Sequence, residues 1–396
     1  MSDELKRRQQ AIRLWLADET VTFICTLLGR TRGWFYKWLA RYQDQGADGL
    51  RDLSRAPHAS PVRVPDTVRQ MILAIRKRLE RRRGAKARYR LAGAPTIRSE
   101  LEGLEVKPLP SLRTIRRILQ QAGCTNPALP RMPPSRVTHY PGVQATHSNQ
   151  VHQLDLVGPR YLKGRHTRYH FLVYKDVFDL AIYLEFQPAP VLSDVLGFVV
   201  RAWQHLGIPA ILQIDNDVLF AGTGRWPRSV NRFIRLALRV GVELLFIPEG
   251  EPYHNGSVEN FNGWFQPRLL AIRLRRPVQV RHELAALMAV CNHEHIHPQL
   301  GYRTAHQIRQ RQTFRRLPAN FADHLHPLPI SVGRVTFIRK VRASGRITIL
   351  HEKIRVGKRL KGRYVRATLF TRTQTLKIYY CGKLVKQVAY PIRGVS

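Results

Sequence analysis

Three acidic residues that are far apart in the chain stand at positions from which a carboxylate can reach solvent. Asp155 lies in the apolar run VHQLDLVG, Asp215 ends the run AILQID, and Glu259 follows a loop that ends in NGS. Successive strand residues point to opposite faces, so Asp155 can project away from its apolar neighbours. Ser257 can cap a helix whose first turn holds Glu259, where the helix dipole favours negative charge. Carboxylates that converge from different elements can hold Mg²⁺ for phosphoryl transfer.

Other acidic and metal-ligating residues are weaker candidates for such a site. Glu249 and Glu251 are rival third ligands, but neither stands at a helix start after an NG turn. Asp176 and Asp179 are interpreted as structural acids at a strand end. A zinc site is suggested by alternating residues, Cys291, His293, His295 and His297. Because alternating positions on a helix point around its circumference, we interpret these four as structural.

The region that holds the three acids has the pattern of a mixed α/β domain. From Val151 onward, three apolar, β-branched and aromatic runs bounded by Gly, Pro and Asp predict consecutive strands. Helical and strand patterns then alternate as far as a helix that starts near Ser257. Consecutive strands followed by this alternation indicate a mixed sheet covered by helices. We therefore predict an α/β domain over residues 149–316.

Two helical units precede this domain and are predicted to bind DNA. In residues 1–56, Thr20 and Thr31 can cap helices on either side of a glycine-containing turn, as in a helix-turn-helix. Residues 62–125 repeat this pattern, and a plain helical bundle is the alternative for the first unit. The second helix of a helix-turn-helix can enter the major groove. The candidate DNA-contacting residues on these units are Arg30, Arg32, Lys37, Arg41, Arg113, Arg116 and Arg117.

The remaining segments differ in composition from both kinds of domain. Residues 126–148 begin with the Pro-rich run NPALPRMPPS and are predicted to be a linker. Residues 331–392 consist of short strand-like runs separated by Gly turns, which predict a small C-terminal β-barrel. From residue 331 onward there are 17 Lys and Arg against one acid, Glu352. We therefore predict that the barrel has a basic surface that holds the DNA backbone.

The overall charge favours a nucleic acid as the partner. The 396 residues include 66 Lys and Arg against 27 Asp and Glu, a formal net charge of +39. This one-sided excess repels itself unless a polyanion such as double-stranded DNA neutralises it. Because we find no leader, no lipidation signal and no apolar run of about 18 residues, we expect no membrane association and a cytoplasmic, nucleoid-associated protein if it is bacterial. Four scattered cysteines without a CxxC pair argue against a disulfide framework.

Four segments, in this order, resemble those of insertion-sequence transposases in the retroviral integrase superfamily. VHQLDLVGPRYLKG resembles the first-aspartate strand, and QIDNDVLF is similar to the second-aspartate segment DNGxxF. PEGEPYHNGSVENFN resembles the third-carboxylate segment PxxPxxNGxxERxN, and CNHEHIHPQLGYRTAHQI the downstream segment YNxxRPHxxLGxxTP. The resemblance covers about Val151 to Gln310, and the flanking helix-turn-helix units and basic tail fit the same architecture.

The resemblance implies a ribonuclease H-like fold with a DDE triad of Asp155, Asp215 and Glu259. These residues would bind Mg²⁺, or Mn²⁺ as a substitute. Such enzymes use water to nick transposon ends and then use the freed 3′-hydroxyl to attack target DNA, without a covalent protein–DNA intermediate. The resemblance further implies a homo-oligomer on the two DNA ends, with an accessory ATPase as a further partner to consider. Arg268, on the glutamate helix, is an additional candidate DNA contact.

Several positions differ from the family pattern. Asp217 replaces the Gly after Asp-Asn, and Asn260 replaces the Arg after the glutamate. Gln266 stands where a Lys or Arg often contacts DNA, and Pro267 is expected to bend or end the helix. The leading prediction is a Mg-dependent transposase, a DNA nuclease and strand transferase. The alternatives are a catalytically silent DNA-binding regulator or targeting subunit on the same scaffold, and a nuclease without strand transfer.

Overall fold

The computed structural model divides the chain into two compact units, Met1–Val64 and Pro65–Ser396. The residues that it describes are 3–53, 64–125, 139–162, 164, 166, 168–222 and 226–394. Residues 126–138 of the predicted linker at 126–148, which include its Pro-rich run, therefore lie outside the described residues. The remaining domain boundaries given above stay predictions.

The first unit is a helical bundle that contains a helix-turn-helix. Its α-helices are α1 (Asp3–Leu16), α2 (Val21–Leu28) and α3 (Arg32–Gln45). The hydroxyls of Thr20 and Thr31 accept hydrogen bonds from Phe23 N and Trp34 N at 3.3 and 3.2 Å, and so cap α2 and α3 as predicted. Gly29, with φ of 62°, adopts the left-handed conformation that ends α2. The core between the helices includes Ala11, Ile12, Ile24, Phe35, Trp38 and Leu39.

A second group of helices begins the larger unit. These helices are α4 (Asp66–Glu80), α5 (Ala85–Tyr89), α6 (Ala94–Gly103) and α7 (Leu112–Gln121). Ser111 Oγ accepts a hydrogen bond from Thr114 N at 3.2 Å and caps α7. Asp66 is the first residue of α4, and no side chain caps that helix. Helices α6 and α7 pack against each other, which gives the second predicted helix pair.

Nine strands of the described residues form one mixed sheet. The strands of the larger unit are β1 (Val151–Tyr161), β2 (Arg168–Asp176), β3 (Ile182–Pro188), β4 (Ile211–Ile214), β5 (Ser229–Val230), β6 (Glu243–Phe246), β7 (Arg334–Lys340), β8 (Arg346–Ile349), β9 (Glu352–Arg355), β10 (Tyr364–Phe370), β11 (Thr375–Tyr380), β12 (Lys383–Ala389) and β13 (Arg393–Gly394). The order in the large sheet is β12-β11-β10-β7-β6-β4-β1-β2-β3. Strands β1, β2 and β3 pair antiparallel, whereas β1, β4, β6 and β7 run parallel. This arrangement confirms the predicted mixed sheet of an integrase-like fold.

Helices cover both faces of the central strands. They are α8 (Leu192–Leu206), α9 (Val218–Ala221), α10 (Arg232–Val240), α11 (Gly256–Leu270), α12 (Pro277–His293) and α13 (Ala305–Arg309). Alternate residues of β2 belong to different cores: Leu172 and Tyr174 to the core of α8 and α10, and Phe171 and Val173 to the core of α11 and α12. A strand that is buried on both faces reads as a continuous apolar run, which explains why the sequence reveals it clearly.

The C-terminal strands continue the central sheet. Strand β7 pairs parallel with β6, with Leu244 opposite Val335, and β10, β11 and β12 follow antiparallel. Among the described residues this pairing does not close into a barrel, so the separate small barrel over residues 331–392 is not confirmed. The reason is non-local: the free edge of β6 needs hydrogen-bond partners, and the apolar run of β7 provides them.

Two local expectations for the glutamate helix differ from the structure. Helix α11 begins at Gly256 with Asn255 before it, so Ser257 lies within the first turn and does not cap it. The helix also continues through Pro267 to Leu270. Tertiary contacts of its buried residues maintain this last turn despite the missing N–H of proline. No helix in the described part of the chain is both long and apolar enough to span a bilayer.

Candidate functional site

Asp155 and Asp215 lie side by side at the centre of the sheet. Strands β1 and β4 pair parallel, with Val151 opposite Ile211 and Gln153 opposite Gln213. Continuing this register by two residues places Asp155 beside Asp215, just beyond the end of β4. Neighbouring strands are about 4.8 Å apart, so the two carboxylates leave the sheet at adjacent positions.

Helix α11 brings Glu259 to the same place. Asn262, one helical turn after Glu259, donates a hydrogen bond from Nδ2 to Oδ2 of Asp155. Residues three apart lie on the same face of a helix, so Glu259 and Asn262 both face β1. The sequence motif contains Asn262, but sequence reasoning assigned it no role. The structure therefore brings together all three predicted acids and adds an amide that orients one of them.

A row of buried polar side chains holds the start of α11 against the sheet. Lys175, Gln153 and Gln213 are in register on the adjacent strands β2, β1 and β4. Lys175 Nζ donates to Ser257 O, Gln153 Oε1 accepts from Val258 N, and Gln213 Nε2 donates to His254 O, each at 2.9 Å. Sequence reasoning missed this row, although a polar residue inside an apolar strand needs a partner and signals one.

The acids at this site form no ion pair within the part of the chain that the structure describes. They are Asp155, Asp215, Asp217 and Glu259. Burial above all raises the pKa of Asp155, and the charges of Glu259 and Asp217 raise it further. Burial, followed by the charges of Asp155 and Asp217, raises the pKa of Asp215 to about 6. Burial also raises the pKa of Glu259. For Asp155 and Asp215 the shifts combine burial with repulsion between carboxylates, whereas burial is the cause given for Glu259.

Asp217, the unusual fourth acid, has a defined local role. Its Oδ1 accepts a hydrogen bond from Leu219 N at 2.8 Å and caps the short helix α9. Its own N–H donates to Asp215 Oδ1 at 3.1 Å. Asp217 thus orders the turn after β4 and adds negative charge beside Asp215.

The rival third ligands are engaged elsewhere. Glu251 accepts hydrogen bonds from Tyr364 at 2.7 Å and from Lys340 at 3.4 Å, and contacts His254 at 3.1 Å. Glu249 pairs with Arg342 at 3.3 Å. Both glutamates therefore connect the loop before α11 to the C-terminal strands.

The donor set has the chemistry of a hard-cation site, but it is not a closed cage. No group of three or more His, Cys, Asp or Glu side chains within the described ranges is arranged to hold one ion. Carboxylate oxygens are nevertheless the ligands that Mg²⁺ and Mn²⁺ prefer, and these carboxylates form no ion pair with any described residue. By ligand type and electrostatics, Asp155, Asp215 and Glu259 fit a divalent cation.

Asp176 and Asp179 belong to a different, compensated network. Arg309 Nη2 contacts Asp176 Oδ2 at 2.7 Å, and Arg309 Nε contacts Asp179 Oδ2 at 2.8 Å. His152 Nε2 lies 3.1 Å from Asp176 Oδ2. Burial by itself would raise the pKa of Asp176, but the charge and hydrogen bond of His152 and the charge of Arg309 hold it below its usual value. This network has the structural role that the sequence analysis assigned to the two aspartates.

The zinc candidate does not form a metal-binding group among the described residues. His295 Nε2 lies 2.8 Å from Tyr89 O, and its ring meets those of Trp264 and His297 edge-on. The His293 ring lies 4.2 Å from that of His306. Helix α12 ends at His293, so the argument from alternating helix positions applies to Cys291 and His293 alone.

The basic residues of the first unit fall into two groups. Arg30 pairs with Glu4, and Arg41 donates to Arg51 O at 2.8 Å, so both stabilise the bundle. Arg32 and Lys37 are exposed on α3, and Arg32 Nη2 also donates to Thr22 Oγ1 at 2.9 Å. The exposed pair is therefore the better placed of the two for contacts outside the bundle.

The candidate DNA contacts of the larger unit also differ among themselves. Arg113, Arg116 and Arg117 are all exposed on α7. Arg268 Nη1 donates to Trp264 O at 2.7 Å within α11. Gln266, which replaces a basic residue of the family pattern, accepts a hydrogen bond from Arg160 Nη2 at 2.7 Å. Strand β1 thus supplies a guanidinium at this point of α11, a contact that sequence reasoning missed.

Family models match the N-terminal helices and part of the α/β region. Homeodomain-like domain models match residues 2–51 and 34–119, and an integrase core domain model matches residues 240–304. The last of these matches includes Glu259 and all of α11. Homeodomain-like domains indicate DNA as a partner, and the integrase core supports DNA recombination of the transposase and integrase type.

Solved structures of retroviral integrases are also similar to this chain. The catalytic core domain of HTLV-2 integrase, solved with magnesium, has 18% identity and a TM-score of 0.33, and the match covers 42% of this chain and 99% of that one. The simian T-cell lymphotropic virus intasome has 16% identity and a TM-score of 0.38, over 75% of this chain and 99% of that one. The catalytic core domain of BIV integrase has 17% identity and a TM-score of 0.31, and the match covers 41% of this chain and 93% of that one. Homeodomain-like domain models and an integrase core domain model thus match parts of the chain in the order that the resemblance to insertion-sequence transposases of the retroviral integrase superfamily predicts.

Proposed function

We propose that this protein is a transposase that cleaves the ends of a mobile DNA element and joins them to target DNA, with Asp155, Asp215 and Glu259 as ligands of Mg²⁺ or Mn²⁺. The main support is electrostatic: in a chain of formal charge +39, these acids lie near one another and form no ion pair with any residue that the structure describes. Unpaired buried carboxylates are costly, and a cation bound there would offset that cost.

The residues of the site would act as ligands and orienting groups. In the first reaction, water attacks the scissile phosphorus, a new P–O bond forms and the bond to the 3′ oxygen breaks. In the second, the freed 3′-hydroxyl attacks a target phosphorus and releases a target 3′-hydroxyl. A bound divalent cation would activate the attacking oxygen and stabilise the leaving one. Asn262 would fix the orientation of Asp155, and the polar row Lys175–Gln153–Gln213 would fix that of α11.

The remaining surfaces would bind DNA. We propose that residues 1–56 and 62–125 read the element ends through Arg32, Lys37 and the exposed arginines of α7, and that the basic C-terminal strands contact backbone phosphates. Affinity should then fall with salt, with a log–log slope of about −0.9 per neutralised phosphate. A flat salt response would contradict this proposal. Because both ends of the element must be joined, we propose that the protein acts as a homo-oligomer on the two ends.

The test is a cleavage and strand-transfer assay with the DNA that flanks the gene. We expect nicked ends and joined products with Mg²⁺ or Mn²⁺, and none with a chelator. DNA binding without any product in either metal would instead indicate the silent regulator. Nicks without joined products would indicate a nuclease.

A further inference from the structure

We propose that Arg339, on C-terminal strand β7, is a positioning residue for the turn that carries Asp215, so that the C-terminal strands complete the candidate metal centre. This inference rests on the proposed function for its link to catalysis, but the contact itself can be tested without it. It assigns the C-terminal strands a role in the active site in addition to DNA contact.

The guanidinium of Arg339 contacts the turn that follows Asp215, through Asn216. Arg339 is 6% exposed. Its Nη2 donates to Asn216 Oδ1 at 2.7 Å, and its Nη1 donates to Ile247 O at 2.8 Å. Asn216 Nδ2 donates to the same Ile247 carbonyl at 2.7 Å. The three groups form a closed set of hydrogen bonds between β7, the end of β6 and the residue that follows Asp215.

The remaining bonds of Arg339 fix its side chain within the C-terminal strands. Its Nε donates to Thr348 O at 3.0 Å, on β8, and Nη1 also donates to Ile338 O at 2.9 Å. All these acceptors are neutral, and within the described residues Arg339 forms no ion pair. Burial lowers the pKa of Arg339 to about 10. The charge of Glu249 opposes this shift. A buried cation that forms no ion pair with the described residues is costly, and only a planar fork of N–H donors can satisfy four acceptors at once.

The consequence for the site follows from the position of Asn216. It lies between Asp215 and Asp217, and both ends of its side-chain amide are bonded, one to Arg339 and the other to Ile247 O. This anchoring fixes the backbone of the turn relative to the sheet. Without Arg339, Asn216 Oδ1 loses its donor and the turn can rotate. Asp215 would then no longer point steadily toward Asp155.

Hydrogen–deuterium exchange on the full-length protein tests the contact directly. We expect Arg339→Met to accelerate amide exchange across residues 214–219, and Arg339→Lys to do so less, because a lysine keeps one donor. The matched control is Arg334→Met, which removes an exposed guanidinium from the same strand and should leave this segment unchanged. Unaltered exchange of residues 214–219 in Arg339→Met would overturn the proposal.

Mn²⁺ titration followed by electron paramagnetic resonance, with the cleavage assay, tests the link to the metal centre. Arg339→Met should weaken Mn²⁺ affinity by roughly 10–100-fold, the usual effect of losing a residue that orients a ligand, and should leave DNA affinity as in Arg334→Met. Asn216→Ala should weaken it similarly, and the double variant should be no worse than either single variant. Additive losses, or equal losses of Mn²⁺ and DNA binding, would indicate general destabilisation and defeat the proposal. If the wild-type protein binds no Mn²⁺ and cuts no DNA, the proposed function fails, while the exchange result still decides the role of Arg339.

Discussion

The large sheet carries two acidic groups. One is Asp155, within β1, with Asp215, just after β4; the other is Asp176, at the end of β2, with Asp179 in the turn that follows. The second group surrounds Arg309 and contacts His152, so its charge is compensated within the fold. In the first group the neighbouring acids repel one another, and the donors that bond to Asp155 and Asp215, such as Asn262 Nδ2 and the N–H of Asp217, are uncharged. Both groups are conspicuous in the sequence as acids in or next to apolar strand runs, yet among the described residues only the second has an arginine partner.

This difference teaches how to separate a structural acid from a candidate ligand. Buried acids that stabilise a fold are paired with cations, because an unpaired buried charge costs several kcal/mol. Acids that remain unpaired lower the stability of the fold and are candidates for binding a cation. The following predictions test this comparison, from the largest expected effect to the smallest.

The largest effect concerns catalysis. Asp155→Asn, Asp215→Asn or Glu259→Gln should lower the end-cleavage rate by about 10³-fold or more, roughly 4 kcal/mol of transition-state stabilisation, because each removes a charged ligand. DNA affinity, measured by fluorescence anisotropy, should remain nearly intact. The matched control is Asp179→Asn in the compensated network, which should retain cleavage per folded molecule. If Glu259→Gln still cleaved DNA, Glu249 or Glu251 would be the third ligand instead.

The next effect concerns the compensating cation. Arg309→Met leaves two buried acids without their partner and should lower the free energy of unfolding by about 3–5 kcal/mol, as measured by urea denaturation. Arg311→Met, an exposed arginine two residues away, should change it by no more than about 0.5 kcal/mol. Equal effects of the two substitutions would show that the buried network contributes no special stability.

Divalent cations should stabilise the fold only by binding at the group that has no cationic partner among the described residues, Asp155 and Asp215. Mn²⁺ at 100 times its dissociation constant should raise the free energy of unfolding by about 2.7 kcal/mol, as measured by thermal unfolding with and without a chelator. The increase should be lost in Asp155→Asn, which removes a ligand. It should persist in Asp176→Asn, compared at that variant's own melting temperature. Stabilisation that persists in both variants would place the cation elsewhere on the chain.

The smallest effect concerns pH in the absence of metal. The folded pKa of Asp215, about 6, lies above its usual value of 3.8, so its charged form destabilises the fold above pH 6 and this cost disappears as the pH falls toward 4. Asp215→Asn should therefore be more stable than the wild type at pH 7, by roughly 1–2 kcal/mol, and equal to it near pH 4.

Urea denaturation in a chelating buffer at both pH values measures this difference. The exposed Asp323→Asn serves as the control and should show no such trend. Asp176 should behave in the opposite way, because its folded pKa is lowered and its stabilisation is lost as the pH falls through that value. A constant advantage of Asp215→Asn at both pH values would contradict repulsion as its source.

Much of this protein was predictable because the relevant interactions are local. The caps Thr20, Thr31 and Ser111 bond to residues three positions away, so the sequence next to each helix specifies its start. The central strands are buried on both faces and show as apolar runs. The order of the motifs predicted that Asp155, Asp215 and Glu259 belong to one site, and the strand register is consistent with that prediction.

Other features depended on contacts between distant segments. The strand pattern of residues 331–392 was visible, but not that β7 would pair with β6, because a strand pattern specifies which face is buried and not which edge is its neighbour. The roles of Arg339 and Asn262 likewise depend on the approach of elements that lie 123 and 107 residues away along the chain. The sequence alone determined the types of the acids and of the secondary-structure elements that carry them. Only the tertiary structure decided which acids are compensated, because a countercharge acts through space, over a few ångströms, whatever its position in the chain.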